Sequence, residues 1–303
     1  MTPSVRQWAL ITGVSPGTLA ECLSASCLQR GINIIATSVD TKDITYLHPE
    51  PGSNHGFLIT LKMDVTSRKS INKAVEQVER LTDGKLDFLV NCEECKYFVP
   101  ILDAGLSQSR AQYEVNVWGV VRVVQAFFPL LQEGSGTVVT LGHSASETGR
   151  SYGGVYESSK AAVKSLTKAM RFELAPSGIG AVCLDAPDMR VESFENRGEG
   201  GVGEESVHWP IRGDVEAVME RSLAGEKGQD RFDVAERMVE ELLNGQTLDL
   251  HPKKESWQIM LTALLAWILP TWLLEGLNAR AAGLYKLEHS LTNAAPHERK
   301  KST

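Results

Sequence analysis

Short apolar runs alternating with longer helix-period stretches set the strongest limit on what this chain can fold into. The runs are WALIT (8–12), INIIAT (32–37), FLITLKMDV (57–65), LDFLV (86–90), GTVVTL (136–141) and GAVCLDA (180–186), each separated from the next by enough chain for a crossover helix. They are apolar at nearly every position, as strands buried on both faces of a parallel sheet are; a half-exposed strand would alternate apolar with polar. Between the first two runs, LAECLSASCLQRG puts Leu19, Cys22, Leu23 and Leu28 on one helical face and ends at Gly31, a residue suited to a C-cap. SRKSINKAVEQVERLTDG likewise repeats Ile71, Ala74, Val75 and Val78 and stops at Gly84. The rhythm is βαβ, and it predicts an α/β fold, a doubly wound parallel sheet covered by helices.

One such rhythm in 303 residues is consistent with one large domain. The formal net charge is −7 with no long single-sign block, which argues against a nucleic-acid partner or a polybasic membrane patch. The segment MTPSVRQ runs into WALITG with one early Arg, and that apolar stretch is too short for a secretory signal, so an intracellular, cytoplasmic protein is expected. Cys22, Cys27, Cys92, Cys95 and Cys183 are odd in number, and Cys92-x-x-Cys95 has neither a second pair nor a His cluster at zinc spacing. Neither a disulfide framework nor a metal site is expected.

After Asp188 the pattern breaks. ENRGEGGVGEESVHWPIRGD (195–214) is rich in Gly and Glu and reads equally as a surface loop or as a flap over a site. Helical pattern resumes in VEAVMERSLAG and DVAERMVEELLNG. SWQIMLTALLAWILPTWLL (256–274) has no charged residue and three tryptophans, and its length approaches the ~20 residues that span a bilayer, although Pro270 divides it. A core or dimer-facing helix, peripheral lipid contact and a span all remain open for it. A soluble enzyme with an apolar substrate mouth is the expectation, with residues 251–287 as an apolar helical extension and 288–303 as a frayed tail.

The first strand-to-helix junction reads Thr12-Gly13-Val14-Ser15-Pro16-Gly17-Thr18-Leu19-Ala20. Glycines there permit a tight turn and bring backbone N–H groups and the positive end of a helix close to a pyrophosphate. The Thr-Gly-x-x-x-Gly spacing resembles the cofactor turn of the short-chain dehydrogenases/reductases. Further pieces follow in that family's order: Asp64-Val65, Asn91, Asn116 in YEVNVWGVV, and Tyr156-x-x-x-Lys160 in GVYESSKAAVKSLTKAMRFELAPSGI. LTDGKLDFLVN and YEVNVWGVVRVVQAFFPLL further resemble the fungal reductases of the 1-acyldihydroxyacetone-phosphate type, a subgroup that includes lipid reductases and ketoreductases of secondary metabolism. The resemblance implies a Rossmann-type domain over residues 1–250, with cofactor contacts from Gly13, Ser15, Gly17, Thr18, Leu19, Ser38, Asp64, Val65, Asn91, Tyr156 and Lys160.

Tyr156 and Lys160 lie four residues apart and so share a helix face. Lowering a tyrosine pKa to neutrality takes about 4 kcal/mol, which a cation in a dry cleft could supply. The resemblance implies that Tyr156 gives its proton to a carbonyl oxygen, that Lys160 lowers the Tyr156 pKa, and that Asn116 holds a relay water. Ser38, at the end of the second strand, leans toward NADP over NAD, although Val39 and Asp40 follow it and Lys42 is the nearby cation.

Several positions depart from the family pattern. Asn91-Cys92-Glu93-Glu94 stands where the family has Asn-Asn-Ala-Gly, so the Cys-x-x-Cys reads as a diverged cofactor edge whose carboxylates need to turn to solvent. The family's carbonyl-polarising serine falls on His143, with Ser144 beside it. Either could donate to the carbonyl, His143 in its neutral form because of Lys160, or His143 could be inert. Asp188 replaces a turn residue. The leading expectation is an NADP(H)-dependent ketoreductase acting on a hydrophobic small molecule in lipid or secondary metabolism, with a homo-oligomer left open. The alternative is a degenerate relative with weak or no dinucleotide binding, serving as a binding partner or non-redox catalyst.

Overall fold

A computed structural model describes residues 7–40, 47, 55–143, 150–189, 201–224, 228–244, 280, 283, 284, 286 and 287. Six parallel strands form one sheet: β1 (Trp8–Thr12), β2 (Asn33–Ser38), β3 (Leu58–Lys62), β4 (Phe88–Asn91), β5 (Thr137–His143) and β6 (Gly180–Ala186). Their spatial order is β3-β2-β1-β4-β5-β6. The order reverses direction at β1, so the crevice between β1 and β4 opens at the strands' carboxyl ends, where ligands of such sheets sit.

The uninterrupted apolar runs are explained by what lies on each face. Ala9, Ile11, Ile34 and Ala36 face α1 (Leu19–Gln29) and α7 (Arg231–Leu243), where they meet Leu23, Cys27, Val234 and Met238. Leu10, Ile35, Leu89 and Val138 face the opposite way. They pack with Ile71 and Val78 of α2 (Arg68–Thr82) and Phe127 of α4 (Val120–Gly134). α5 (Gly154–Leu174) crosses to β6 on that same side, its Met170 and Leu174 against this cluster. Truncating a fully buried Leu10 or Phe127 to Ala would cost about 3–5 kcal/mol.

β3 ends at Lys62, three residues before the apolar run does. Met63 still donates to Ser38 O at 2.9 Å, but Asp64 then turns the chain, its Oδ1 accepting from Thr66 N and Oγ1 at 2.8 and 2.7 Å. α3 (Leu106–Tyr113) runs through a π-helical turn (Glu114–Gly119) into α4. The whole, Leu106–Gly134, is the one helix among the described residues long and apolar enough to cross a membrane, but half of it is buried in the protein.

A third cluster closes the carboxyl-end side: Phe98, Tyr152, Tyr156, Val202 and Ile211, with Val215 and Met219 of α6 (Arg212–Ala224). The second half of the Gly- and Glu-rich stretch belongs to this cluster. Ser206 Oγ donates to Asp103 Oδ2 at 2.7 Å and His208 Nδ1 lies 3.1 Å from the same oxygen. Residues 190–200, the apolar stretch 256–274 and the tail 288–303 lie outside the described residues.

Candidate active site

One cleft runs along the carboxyl ends of the strands, from the β1–α1 turn and the end of β2 to α5. At its first end, Gly13 and Gly17 adopt φ of +70° and +80°. A Cβ on Gly13 would come within 2.7 Å of Glu93 Cα, so the turn and the segment after β4 fit together only through glycine. Thr18 caps α1, its Oγ1 accepting from Glu21 N at 3.3 Å, and Ser15, Leu19 and Ala20 line the cleft. The first N–H groups of a helix have no intrahelical acceptor, which gives this end its affinity for anions. Glu21 takes one donor already: its buried carboxylate accepts from Gly17 N at 2.6 Å. Thr18-x-x-Glu21 is a capping-box pattern, the sequence signal that identifies this carboxylate.

At the other end the segment after β4 folds across the cleft. Thr12 Oγ1 accepts from both Cys92 N and Glu93 N at 3.0 Å. The amide of Asn116, on the π-helical turn, pins Cys95 from both sides. Its Oδ1 accepts from Cys95 N at 2.7 Å, and its Nδ2 donates to Cys95 O and to Ser159 Oγ, each at 3.0 Å. This segment delivers Glu94 to the centre of the site. Glu94 Oε2 lies 2.8 Å from Lys160 Nζ and accepts from Tyr156 Oη at 3.1 Å, while Oε1 lies 3.0 Å from Lys96 Nζ. Burial raises the Glu94 pKa, but Lys160 and Lys96 outweigh it and hold the carboxyl well below its ordinary range.

Tyr156 and Lys160 do share a face of α5 in the cleft, both deeply buried. Lys160 also donates to Leu141 O at 3.3 Å. The direction of the Tyr156 shift is the reverse of the sequence-based expectation. Burial, and then the Glu94 carboxylate, push the phenol well above its ordinary range. Lys160 is present, but the carboxylate between the two offsets its charge. Glu94 thus turns inward instead of to solvent.

His143 ends β5 beside Tyr156, the rings edge-on at a centroid distance of 5.9 Å. Its Nε2 is 3.3 Å from Asp188 Oδ1 and its Nδ1 is 3.6 Å from Glu157 Oε2. Burial disfavours the imidazolium, but the two carboxylates prevail and raise its pKa. The shift runs against the sequence-based expectation of a neutral ring: Asp188 and Glu157 favour the imidazolium over burial and the Arg150 charge. Arg150 completes the group, 2.8 Å from Asp188 Oδ1 and 3.6 Å from Glu157 Oε1. Both Glu157 oxygens are buried without a hydrogen bond, held by charge alone. Bonds from His143 and Arg150 keep Asp188 ionised far below the ordinary carboxylate range.

The cleft therefore unites Gly13, Ser15, Thr18, Leu19, Ser38, His143, Tyr156 and Lys160. Gly17 supports the turn. Asn91 instead donates to Val139 O at 3.2 Å, Asp64 caps the turn before α2 and Val65 packs in the core, so these three do not line it. Ser144 and Lys42 lie outside the described residues. Sequence reasoning missed Glu21, Lys96, Arg150 and Glu157. All five cysteines are thiols, and burial pushes the Cys92 thiol far above its ordinary range.

A doubly wound sheet with a glycine turn feeding its switch-point cleft, and a tyrosine and lysine at the far end, defines a dinucleotide-binding α/β protein. Residues 7–200 match the family model described as short chain dehydrogenase, and the chain belongs to that family of oxidoreductases. It is 32% identical over 241 residues to the short-chain dehydrogenase PC-15 of Penicillium crustosum, an alignment covering 80% of this chain and 86% of the relative. It is 27% identical over 210 residues to the NADPH-dependent 1-acyldihydroxyacetone phosphate reductase of Schizosaccharomyces pombe, covering 68% of this chain and 69% of that one. Among solved structures, a short-chain dehydrogenase from Streptomyces avermitilis superposes with a TM-score of 0.70 at 19% identity, covering 95% of this chain and 98% of the other.

Members of the family bind a nicotinamide dinucleotide. The residues present fit that group: the Gly13–Gly17 turn and the start of α1 suit a pyrophosphate, and Lys160 and Tyr156 present donors at the other end. The fit at that second end requires Glu94 to lie elsewhere.

Proposed function

We propose that the chain is an NADP(H)-dependent ketoreductase that reduces a hydrophobic carbonyl compound in lipid or secondary metabolism. The observation that carries this reading is the meeting of the glycine turn with Tyr156 and Lys160 in one cleft. Gly13, Ser15, Thr18 and Leu19 would hold the pyrophosphate, with Ser38 beside the adenosine ribose. The name of the Schizosaccharomyces relative supports NADPH as the preferred form. The bound dinucleotide supplies the hydride.

Tyr156 supplies the proton. A buried, un-ionised phenol is a donor, and its proton passes to the oxygen of the substrate as that oxygen gains charge, leaving a phenolate. Lys160 stabilises the resulting phenolate, and its position is fixed by Leu141 O. His143, between Asp188 and Glu157, is a second ring N–H donor beside Tyr156 that can stabilise the same oxygen. Asn116 acts by positioning Cys95 and so the segment that carries Glu94. Phe98, Pro187, Met189 and Leu223 supply an apolar wall, which suits a hydrophobic substrate.

The domain is assigned to residues 1–250 as its expected extent; the apolar stretch after it lies outside the described residues. Isothermal titration with NADPH and with NADH tests the reading. Saturable binding with NADPH ahead of NADH is expected, and no binding of either at millimolar cofactor would remove it.

A further inference from the structure

Among the described residues, the carboxylate of Glu94 makes three charge-assisted or hydrogen-bonded contacts within 3.1 Å, to Tyr156, Lys160 and Lys96. A phenol has one O–H to give. While Tyr156 donates it to Glu94, no substrate oxygen can receive it, and Glu94 together with Leu141 O takes two of the three N–H donors of Lys160. Glu94 is also half-buried, with a second cation, Lys96, that holds its other oxygen and has a partly exposed side chain. Its backbone neighbours are held by Thr12 and Asn116, so a displacement of the carboxylate falls to the side chain.

Resting on the reductase reading, we infer that Glu94 is a further specificity-determining residue of the site. It occupies the place between Tyr156 and Lys160 that the nicotinamide-ribose half of the cofactor requires, and it must swing off both for that half to enter. Lys96 keeps its hold on Oε1 during the swing and provides the carboxylate with a position nearer solvent. The cleft so admits ligands whose hydroxyls replace the carboxylate on Lys160, and it resists groups that bring negative charge there. The adenosine half, bound at the turn, meets no such barrier.

The test compares NADPH affinity by isothermal titration in the wild type, Glu94→Gln and Glu94→Gly. Glutamine keeps the length but loses the charge, which guards against a change that comes only from backbone loosening in the glycine variant. Both variants are expected to bind NADPH about tenfold tighter or more, since a hydrogen bond to a charged group no longer has to be broken first. Equal affinity in all three, or weaker binding in both variants, would overturn the inference while leaving the reductase reading in place. No binding by any of the three would remove the reading and the inference together.

Discussion

The two ends of the cleft solve the same packing problem in opposite ways. At the β1–α1 turn, Gly13 leaves space and the adjoining backbone closes to where a Cβ would sit 2.7 Å away. At the α5 end, the position the family fills with glycine holds Glu94, and its side chain occupies the space. The first end depends on an absence of side chain, the second on a carboxylate balanced by two ammonium groups. On this contrast a glycine site withstands little change, whereas a charged filling yields to a ligand that replaces its contacts.

The largest expected effect breaks the chemistry at the α5 end. Tyr156→Phe removes the donor and should lower kcat by about 10²–10⁴-fold with cofactor affinity preserved, as measured by steady-state kinetics beside titration of the cofactor. Retained turnover would show that another group gives the proton.

At the turn end, Gly13→Ala forces a side chain into a left-handed backbone against Glu93. It should destabilise the fold by about 2 kcal/mol or more, seen as a lower urea midpoint, with cofactor binding lost as well. An unchanged midpoint would mean that the segment after β4 yields easily.

The charged group around His143 should respond to pH in a defined direction. Its folded pKa lies above the ordinary ~6.5, so its contribution is fully present below ~6.5 and is lost as pH rises through the folded value. Asp188 is depressed, so its contribution is present above ~3.9 and is lost as pH falls through its folded value. The stability difference between wild type and His143→Ala should therefore be largest near pH ~5–6 and shrink toward pH ~9 in urea titrations. A difference independent of pH would contradict the ion pairing. Loss of the donor should also lower kcat by ~10²-fold.

The smallest effect concerns Cys92. Its thiol is buried and its ionisation suppressed, so it should resist alkylation in the folded protein, and Cys92→Ala should cost only ~1 kcal/mol. Rapid modification of Cys92 would contradict the burial.

The sheet was legible in the sequence because most of its strands are covered on both faces, which makes a buried strand a nearly continuous apolar run; β6 (Gly180–Ala186) coincides with its run. β3 stops short of its run because Asp64 recruits Thr66 to a turn, a side-chain contact that hydropathy does not register. At the site, Tyr156 and Lys160 were legible through the family resemblance, their spacing placing them only on one helix face. The direction of the Tyr156 shift was not, since it depends on a rotamer of Glu94, 62 residues from Tyr156 in sequence. His143 was legible as a position, but the upward direction of its shift was not, because Glu157 and Asp188 come from α5 and from the loop after β6.

The contrast between the two ends is tested most directly with half of the cofactor. Affinities for 2′,5′-ADP and for NADPH are measured by isothermal titration in wild type and in Glu94→Gly. The account predicts that 2′,5′-ADP, which reaches only the glycine turn and the end of β2, binds both proteins alike, while NADPH gains about tenfold or more in the variant. A gain of equal size for both ligands, or a gain for neither, would contradict it.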